Sequence, residues 1–194
     1  GTVFRRCTAA ESRDPETGAH IWRRAHYSQL IARGLGLSVD DQDLLLEAAP
    51  MHDLGKVGIA AKILLKPGRL DADEFEVMKQ HAIYGYELLQ GSSSRVLQAG
   101  ADIARGHHEK FDGSGYPDGI TGAEIPIFSR IVAVADVFDA LTSERPYKKA
   151  WTLEAAVDFL VQGSGSHFDP QCVQAFLNAW DDVMEIRGRY QEEG

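Results

Sequence analysis

The chain has 194 residues, 44% of them hydrophobic, which suits one sizeable core in one domain with at most a small appendage. A formal net charge of -9 leaves no basic stripe for a nucleic-acid polymer. Cys7 and Cys172 are too few and too distant for a disulfide framework or a CxxC site, and no apolar run approaches the roughly 20 residues of a membrane span, so two packing cysteines in a cytoplasmic segment are expected.

Helical signals follow one another down the chain. Val3, Phe4, Cys7 and Ala10 make an apolar stripe on a short helix over residues 1–13, a stub whose continuation is expected upstream, and residues 14–194 form the main domain. Asp14 with Pro15 opens the next helix and Gly34 with Gly36 closes it. Ser38 with Asp41 caps the following one, and the stretch LEAAPMHDLGKVGI carries an apolar helix straight into His52 and Asp53. Asp71 with Glu74 reads as a capping box. In VLQAGADIARGHHEK, Val96, Ala99, Ile103 and His107 follow one helical stripe, while Leu97, Ala101, Ala104 and His108 follow the next. The stretch IFSRIVAVADVFDAL is apolar enough that an unpartnered Asp136 carboxylate inside it would be strongly unfavourable. Thr152 and Asp169-Pro170 open the last two helices. Only Val57-Gly58-Ile59 and the Gly/Pro-rich loop at 112–126 fall outside this pattern, so an all-α bundle is expected.

Set on these helices is an ordered series of imidazoles and carboxylates: Glu16, His20, His52, Asp53, His81, His107, His108 and Asp136. Eight such groups can hold two or three divalent ions. Adjacent helical side chains diverge by about 100°, so His52 can hold one ion while the two oxygens of Asp53 bridge it to a second. Taken alone, His52-Asp53 also fits a satisfied core histidine beside a helix-ending aspartate. Glu16 alone fits a favourable anion in a first helical turn. Nitrogen and oxygen donors without thiolate suit iron, manganese, zinc, nickel or cobalt. His26 and His167 read as packing residues. Lys56 comes one turn after the His-Asp pair, and Arg145 and Lys148 follow the Asp136 helix; all three are candidate phosphate cations, against the bland alternative of solvated surface charge. Gly113 and Gly115 allow tight backbone, and Tyr116 offers a ring face or a hydroxyl. Asp139 shares roughly the same face as Asp136, and a helix-face salt bridge is its weightier reading.

The order of these positions, with the loop His108-Glu109-Lys110-Phe111-Asp112-Gly113-Ser114-Gly115-Tyr116-Pro117, resembles the HD-GYP phosphodiesterases. Further matches are HDLGK at 52–56, RIVAVADVFDALTSERPYK at 130–148 and HFDP at 167–170, so the likeness runs from about residue 10 to about residue 170. It implies an HD-superfamily helical bundle with a Gly/Pro-rich loop beside a buried metal cluster, hydrolysing cyclic di-GMP to pGpG, to GMP or to both. His52, Asp53 and Lys56 are then the catalytic group. Asp112, Gly113, Gly115, Tyr116, Pro117, Asp139, Arg145 and Lys148 join Lys56 as substrate-binding residues, with Asp139 at a guanine edge. The resemblance also associates Glu16 with a third ion and places His20 at the head of the ligand series. Iron or manganese is the implied metal. The expected partners are an upstream regulatory domain, a second copy through the N-terminal helix, and diguanylate cyclases, in a full-length protein compatible with a membrane anchor. A non-catalytic nucleotide sensor, a hydrolase preferring cyclic GMP-AMP, and an oxygen-handling di-iron bundle are the alternatives. Lys56, Arg145 and Lys148 weigh against the last of these, because they suit a phosphate.

Overall fold

A computed structural model describes residues 18–145 and 148–191. The apolar stripe at Val3 to Ala10, the Asp14-Pro15 start and Glu16 lie outside them. In chain order the α-helices are α1 (Gly18–Gly34), α2 (Val39–Ala48), the short α3 (Ala61–Leu64), α4 (Ala72–Leu89), α5 (Arg95–Gly106), α6 (Ile127–Thr142), α7 (Leu153–Gln162), α8 (Pro170–Asn178) and α9 (Trp180–Arg189). Among the described residues there is no strand, only isolated bridges at Arg145–Lys148 and Ser164–Phe168.

The local signals form as the sequence reads. Asp41 N donates to Ser38 Oγ at 3.1 Å, and Asp71 and Glu74 close a reciprocal box at 2.8 and 2.9 Å. Ala155 N donates to Thr152 Oγ1, and Gln171 N to Asp169 Oδ1 with Pro170 behind the cap. Two elements differ. The helix expected to run on from Asp169 breaks at Ala179, where φ -97° and ψ 25° turn the chain and set Trp180 against Phe138 and Phe176. Around the His-Asp pair, α2 stops at Ala48 because Pro50 has no N–H to continue it. Short 3₁₀ turns follow at Ala49–Met51 and Leu54–Gly58, so Val57 and Gly58 are helical after all, and His52 and Asp53 occupy the turn between them.

The core is built on α1 and α6. Ile21, Ala25, Tyr27 and Ile31 of α1 are buried against α2, α6 and α8. Most of α6 is enclosed, with Ile131, Val132, Val134, Ala135 and Phe138 fully buried, as a helix apolar on nearly every side must be. Tyr27, Phe138 and Phe176 meet edge to face at centroid distances of 4.8–6.0 Å. Cys172 is a buried packing residue here, as expected.

One close approach positions the site. A Cβ at Gly55 would fall onto the carbonyl oxygen of His81 and lie 2.5 Å from Gly85 N. Only glycine lets the turn after Asp53 lie directly on α4, and that contact brings His81 to Asp53.

Candidate metal centre

Four groups from three separate segments converge: one ligand atom each from Asp53, His81, His107 and His108, all within 4.8 Å of one another. Asp53 stands at the centre. Its Oδ1 lies 3.4 Å from His81 Nε2 and 3.7 Å from His107 Nε2. Its Oδ2 faces the other way, 3.1 Å from both His52 Nε2 and Lys56 Nζ. Asp136, on α6, approaches the same side, 3.6 Å from His52 Nε2.

Helical backbone sets the ring orientation. His52 Nδ1 donates to Ala49 O and His81 Nδ1 to Met78 O, each at 2.7 Å, and His107 Nδ1 faces Ile103 O at 3.0 Å. Each ring therefore places its proton on Nδ1 and turns the Nε2 lone pair inward, the arrangement a metal-binding imidazole needs. His107 Nε2 is buried and finds no hydrogen-bond partner. An orphaned imidazole nitrogen beside a carboxylate and two further imidazoles fits a divalent metal ion and fits little else.

At Asp53, Asp136, His107 and His108 the electrostatics agree. Burial alone would raise the Asp53 carboxyl, but Lys56 and His52 hold it well below the usual range. Burial likewise opposes charge on Asp136, and Arg24 overcomes it. Desolvation pushes His108 far below its ordinary value and His107 below it too, helped by the neighbouring imidazoles, so both are neutral donors. His52 goes the other way: burial opposes its charge, but Asp53 and Asp136 outweigh it.

Above the cluster lies a cavity of about 370 Å³, with Arg24, Lys56 and Arg145 on one part of its wall and Phe75, Met78 and Tyr116 on another. Tyr116 stacks on His108 at 4.8 Å and 18°. The loop carrying Tyr116 is tied down from behind. Glu109, 3% exposed, accepts Asp118 N at 2.6 Å through Oε1 and Gly119 N at 3.0 Å through Oε2. Arg105 grips the Asp118 carboxylate with two bonds of 2.8 and 2.9 Å. Gly115 has no room for a side chain, because a Cβ would meet the backbone of His108, Glu109 and Lys110.

Several expected site residues stand elsewhere. Asp139 is fully buried, bonded to Arg23 Nε at 2.6 Å and His20 Nδ1 at 2.7 Å, with Arg24 Nε at 3.2 Å. It cannot reach a base from there, and the salt-bridge alternative is the one the structure has. His20 therefore has only its Nε2 side to offer an ion, and its expected companion Glu16 lies outside the described residues. Lys148 is exposed, with its ammonium over the Trp151 ring at 5.7 Å, and is not part of the cavity lining, whereas Arg145 is. Asp112 is exposed and accepts from Ser114 N and Oγ in a local turn, and Gly113 supplies a positive φ of 86° beside Thr121. Asp112, Gly113, Gly115 and Pro117 shape the loop, and Tyr116 joins His108 on the cavity wall.

Arg24, Glu109 and Phe75 have no part in the sequence-based site. Arg24 had a signal, four residues after His20 on the same helical face. Glu109 had none, since a buried loop anchor leaves no periodic trace, and Phe75 lies on the apolar stripe of α4 with nothing in the sequence to set a cavity wall apart from core.

The sequence profile of the HD domain family matches residues 7–172. The chain is 51% identical over 189 residues to the cyclic di-GMP phosphodiesterase response regulator RpfG of Xanthomonas campestris pv. campestris, covering 97% of this chain and 50% of that protein. It is 46% identical over 185 residues to 3'3'-cGAMP-specific phosphodiesterase 2 of Vibrio cholerae, covering 95% and 35%. A solved cyclic GMP-AMP-specific phosphodiesterase of V. cholerae shares the fold, with a TM-score of 0.70 at 21% identity over 96% of this chain and 50% of that one. The chain spans half or less of the length of these relatives.

Proposed function

We propose that this chain, which belongs to the HD-domain family, is the metal-dependent phosphodiesterase unit of an HD-GYP protein and hydrolyses the 3'-5' phosphodiester bonds of cyclic di-GMP. The observation that carries this reading is the convergence of inward-facing Nε2 atoms on Asp53 beneath a wall containing Arg24, Lys56 and Arg145. An oxygen-handling bundle has no use for such cations, whereas a phosphodiester does.

His52, His81, His107, His108, Asp53 and Asp136 would hold two ions, and Glu16 with His20 would serve a third. The two oxygens of Asp53 face different imidazoles, His52 and His81, which supports the reading that this carboxylate would serve both ions. When bound, the ions polarise the phosphoryl oxygen and lower the pKa of a water. The chain's own residues do the rest. Lys56, beside Asp53, and Arg145 meet the phosphate oxygens and the charge that grows on them. Arg24 holds Asp136 through its Nε at 3.2 Å and fixes that carboxylate's direction. Glu109 and Arg105 hold the loop that sets Tyr116 over His108 and closes one side against water. The net reaction adds water across one P–O3' bond and yields pGpG, and a second round yields GMP.

Iron or manganese is the proposed metal, as the resemblance to the HD-GYP phosphodiesterases implies; the nitrogen and oxygen donors also suit zinc, nickel or cobalt. Relatives named for cyclic di-GMP and for cyclic GMP-AMP match at similar identity, so a preference for the mixed dinucleotide is the second reading. An upstream regulatory domain, pairing of two copies through the first helix, and contact with diguanylate cyclases complete the proposal. The first of these is supported by relatives twice as long as this chain or longer, which leave room for a further domain. Product analysis on both dinucleotides, with metal content measured on the same sample, tests the reading. Metal-loaded protein that cleaves neither overturns it.

A further inference from the structure

The apolar stripe of α4 runs through Leu89, Gly85, Ala82, His81 and Met78, where it meets the core and the metal centre. It does not stop there. Phe75 continues it by one more turn, past the edge of the protein interior and onto the cavity wall, and is left 43% exposed. Exposed rings occur elsewhere on the surface, but this one lines the cavity over the metal cluster, where an apolar face beside polar groups is what a planar ligand can use. Tyr116 stands edge-on to it, with centroids 6.0 Å apart at 86°, but one face of Tyr116 is already taken by His108. The ring with surface to offer is Phe75. Lys79 Nζ sits over the Phe75 ring, 5.1 Å from its centroid, and over the Tyr116 ring at 5.5 Å, so a cation–π contact covers one face of Phe75 and leaves its other face as the one a ligand can use.

We propose that Phe75 is the nucleobase platform of this site, stacking one purine of the cyclic dinucleotide while a phosphodiester of the same molecule lies at the metal centre. The spacing suits both ends. Phe75 and His81 are six residues apart on one helix, about 9 Å along its axis, comparable with the reach from a nucleotide's phosphate to its base. Stacking tolerates either purine, which fits relatives named for cyclic di-GMP and for cyclic GMP-AMP. The platform rests on the phosphodiesterase reading above and adds to it where the base sits.

The test is steady-state kinetics of the metal-loaded chain with cyclic di-GMP, alongside inhibition by inorganic phosphate, which can occupy the metal centre but carries no base. F75A should raise KM about tenfold, within the range of one lost base stack, with kcat changed less than about twofold. F75L, apolar but not aromatic, should do the same, and F75W should restore KM. The added indole emission of F75W should be quenched by cyclic di-GMP, read against the wild-type background of Trp22, Trp151 and Trp180. The inhibition constant for phosphate should be unchanged in all three. An unaltered KM in F75A and F75L overturns the platform while leaving the phosphodiesterase reading intact. A rise in the phosphate inhibition constant parallel to KM overturns it too, because the ring would then only buttress the metal centre. Failure of the wild-type enzyme to cleave any cyclic dinucleotide takes down both.

Discussion

Replacing Gly55 with alanine tests whether the approach of the His-Asp turn to α4 is what assembles the metal centre. The added Cβ would overlap the His81 carbonyl and sit 2.5 Å from Gly85 N, where ordinary contact begins at 3.4 Å. Both neighbours are backbone, so no side chain can swing aside. The turn and α4 must separate by about 1 Å, an overpacking strain of about 1–3 kcal/mol. In a chain of this size that lowers Tm by roughly 5 °C. The larger effect falls on function. Asp53 Oδ1 and His81 Nε2 are 3.4 Å apart, and opening that pair by about 1 Å takes His81 out of reach of an ion held by Asp53. Metal per chain should fall, and cyclic di-GMP turnover should fall about a hundredfold. The assay is metal analysis, calorimetry and product release on one preparation. G188A is the control, since a Cβ there, in the last turn of α9, meets nothing within 4 Å, and it should leave all three readings at wild type. A G55A protein with native metal content and native turnover would refute the reasoning.

Asp53→Ala should abolish hydrolysis and remove most of the metal while circular dichroism stays helical, because the carboxylate joins both halves of the cluster; wild-type turnover in metal-replete D53A would count against it. Glu109→Gln should lower kcat/KM about tenfold with metal content unchanged, since one of the acceptors holding Asp118 and Gly119 becomes an amide donor and Tyr116 loses its fixed place; a native kcat/KM in E109Q would remove Glu109 from the account. Arg145→Ala should raise KM about tenfold, whereas Lys148→Ala should raise it less than about twofold, because only the first side chain lines the cavity; the reverse order in the measured KM values would restore Lys148 to the site. Burial and Lys110 depress His167 to about 4, so the unfolded chain takes up a proton below pH 6.5 while the folded chain does so only near 4. Its stabilising contribution is therefore full above pH 6.5 and lost as pH falls towards 4. Discounted for partial solvent screening, it is about 1 kcal/mol, read as the difference in urea midpoints between wild type and H167Q in chelator at pH 7.5 and 4.5. Equal acid losses in the two proteins would contradict it.

Local signals were readable because they act over three or four residues. Ser38 needs only Asp41 to cap α2, and Asp71 needs only Glu74. His107 and His108 could be placed beside a buried surface from the stripes of α5 alone. Pro50 was equally local, yet its effect was missed: it ends α2 and puts His52 and Asp53 in a turn, and the two oxygens of Asp53 face opposite ways from there without any helical 100° offset. Asp139 failed for a different reason. Its place on the α6 face is visible in sequence, but the arrival of Arg23 and Arg24 from α1, more than a hundred positions earlier, is what turns a plausible base reader into the buried acceptor of an ion-pair cluster.

The sequence by itself determined the helical class, most helix starts and the identity of the donors, because periodicity, caps and ligand chemistry are carried by residue types at short spacing. The tertiary structure alone decided which donors share a centre, which cations reach the cavity and what holds the loop over it. Asp53, His81 and His107 come from three segments brought together by a glycine-sized gap, and Glu109 meets its partners only where the loop folds back. Such contacts depend on how whole elements pack, and packing is a property of distances between residues far apart in the chain, which no local pattern encodes.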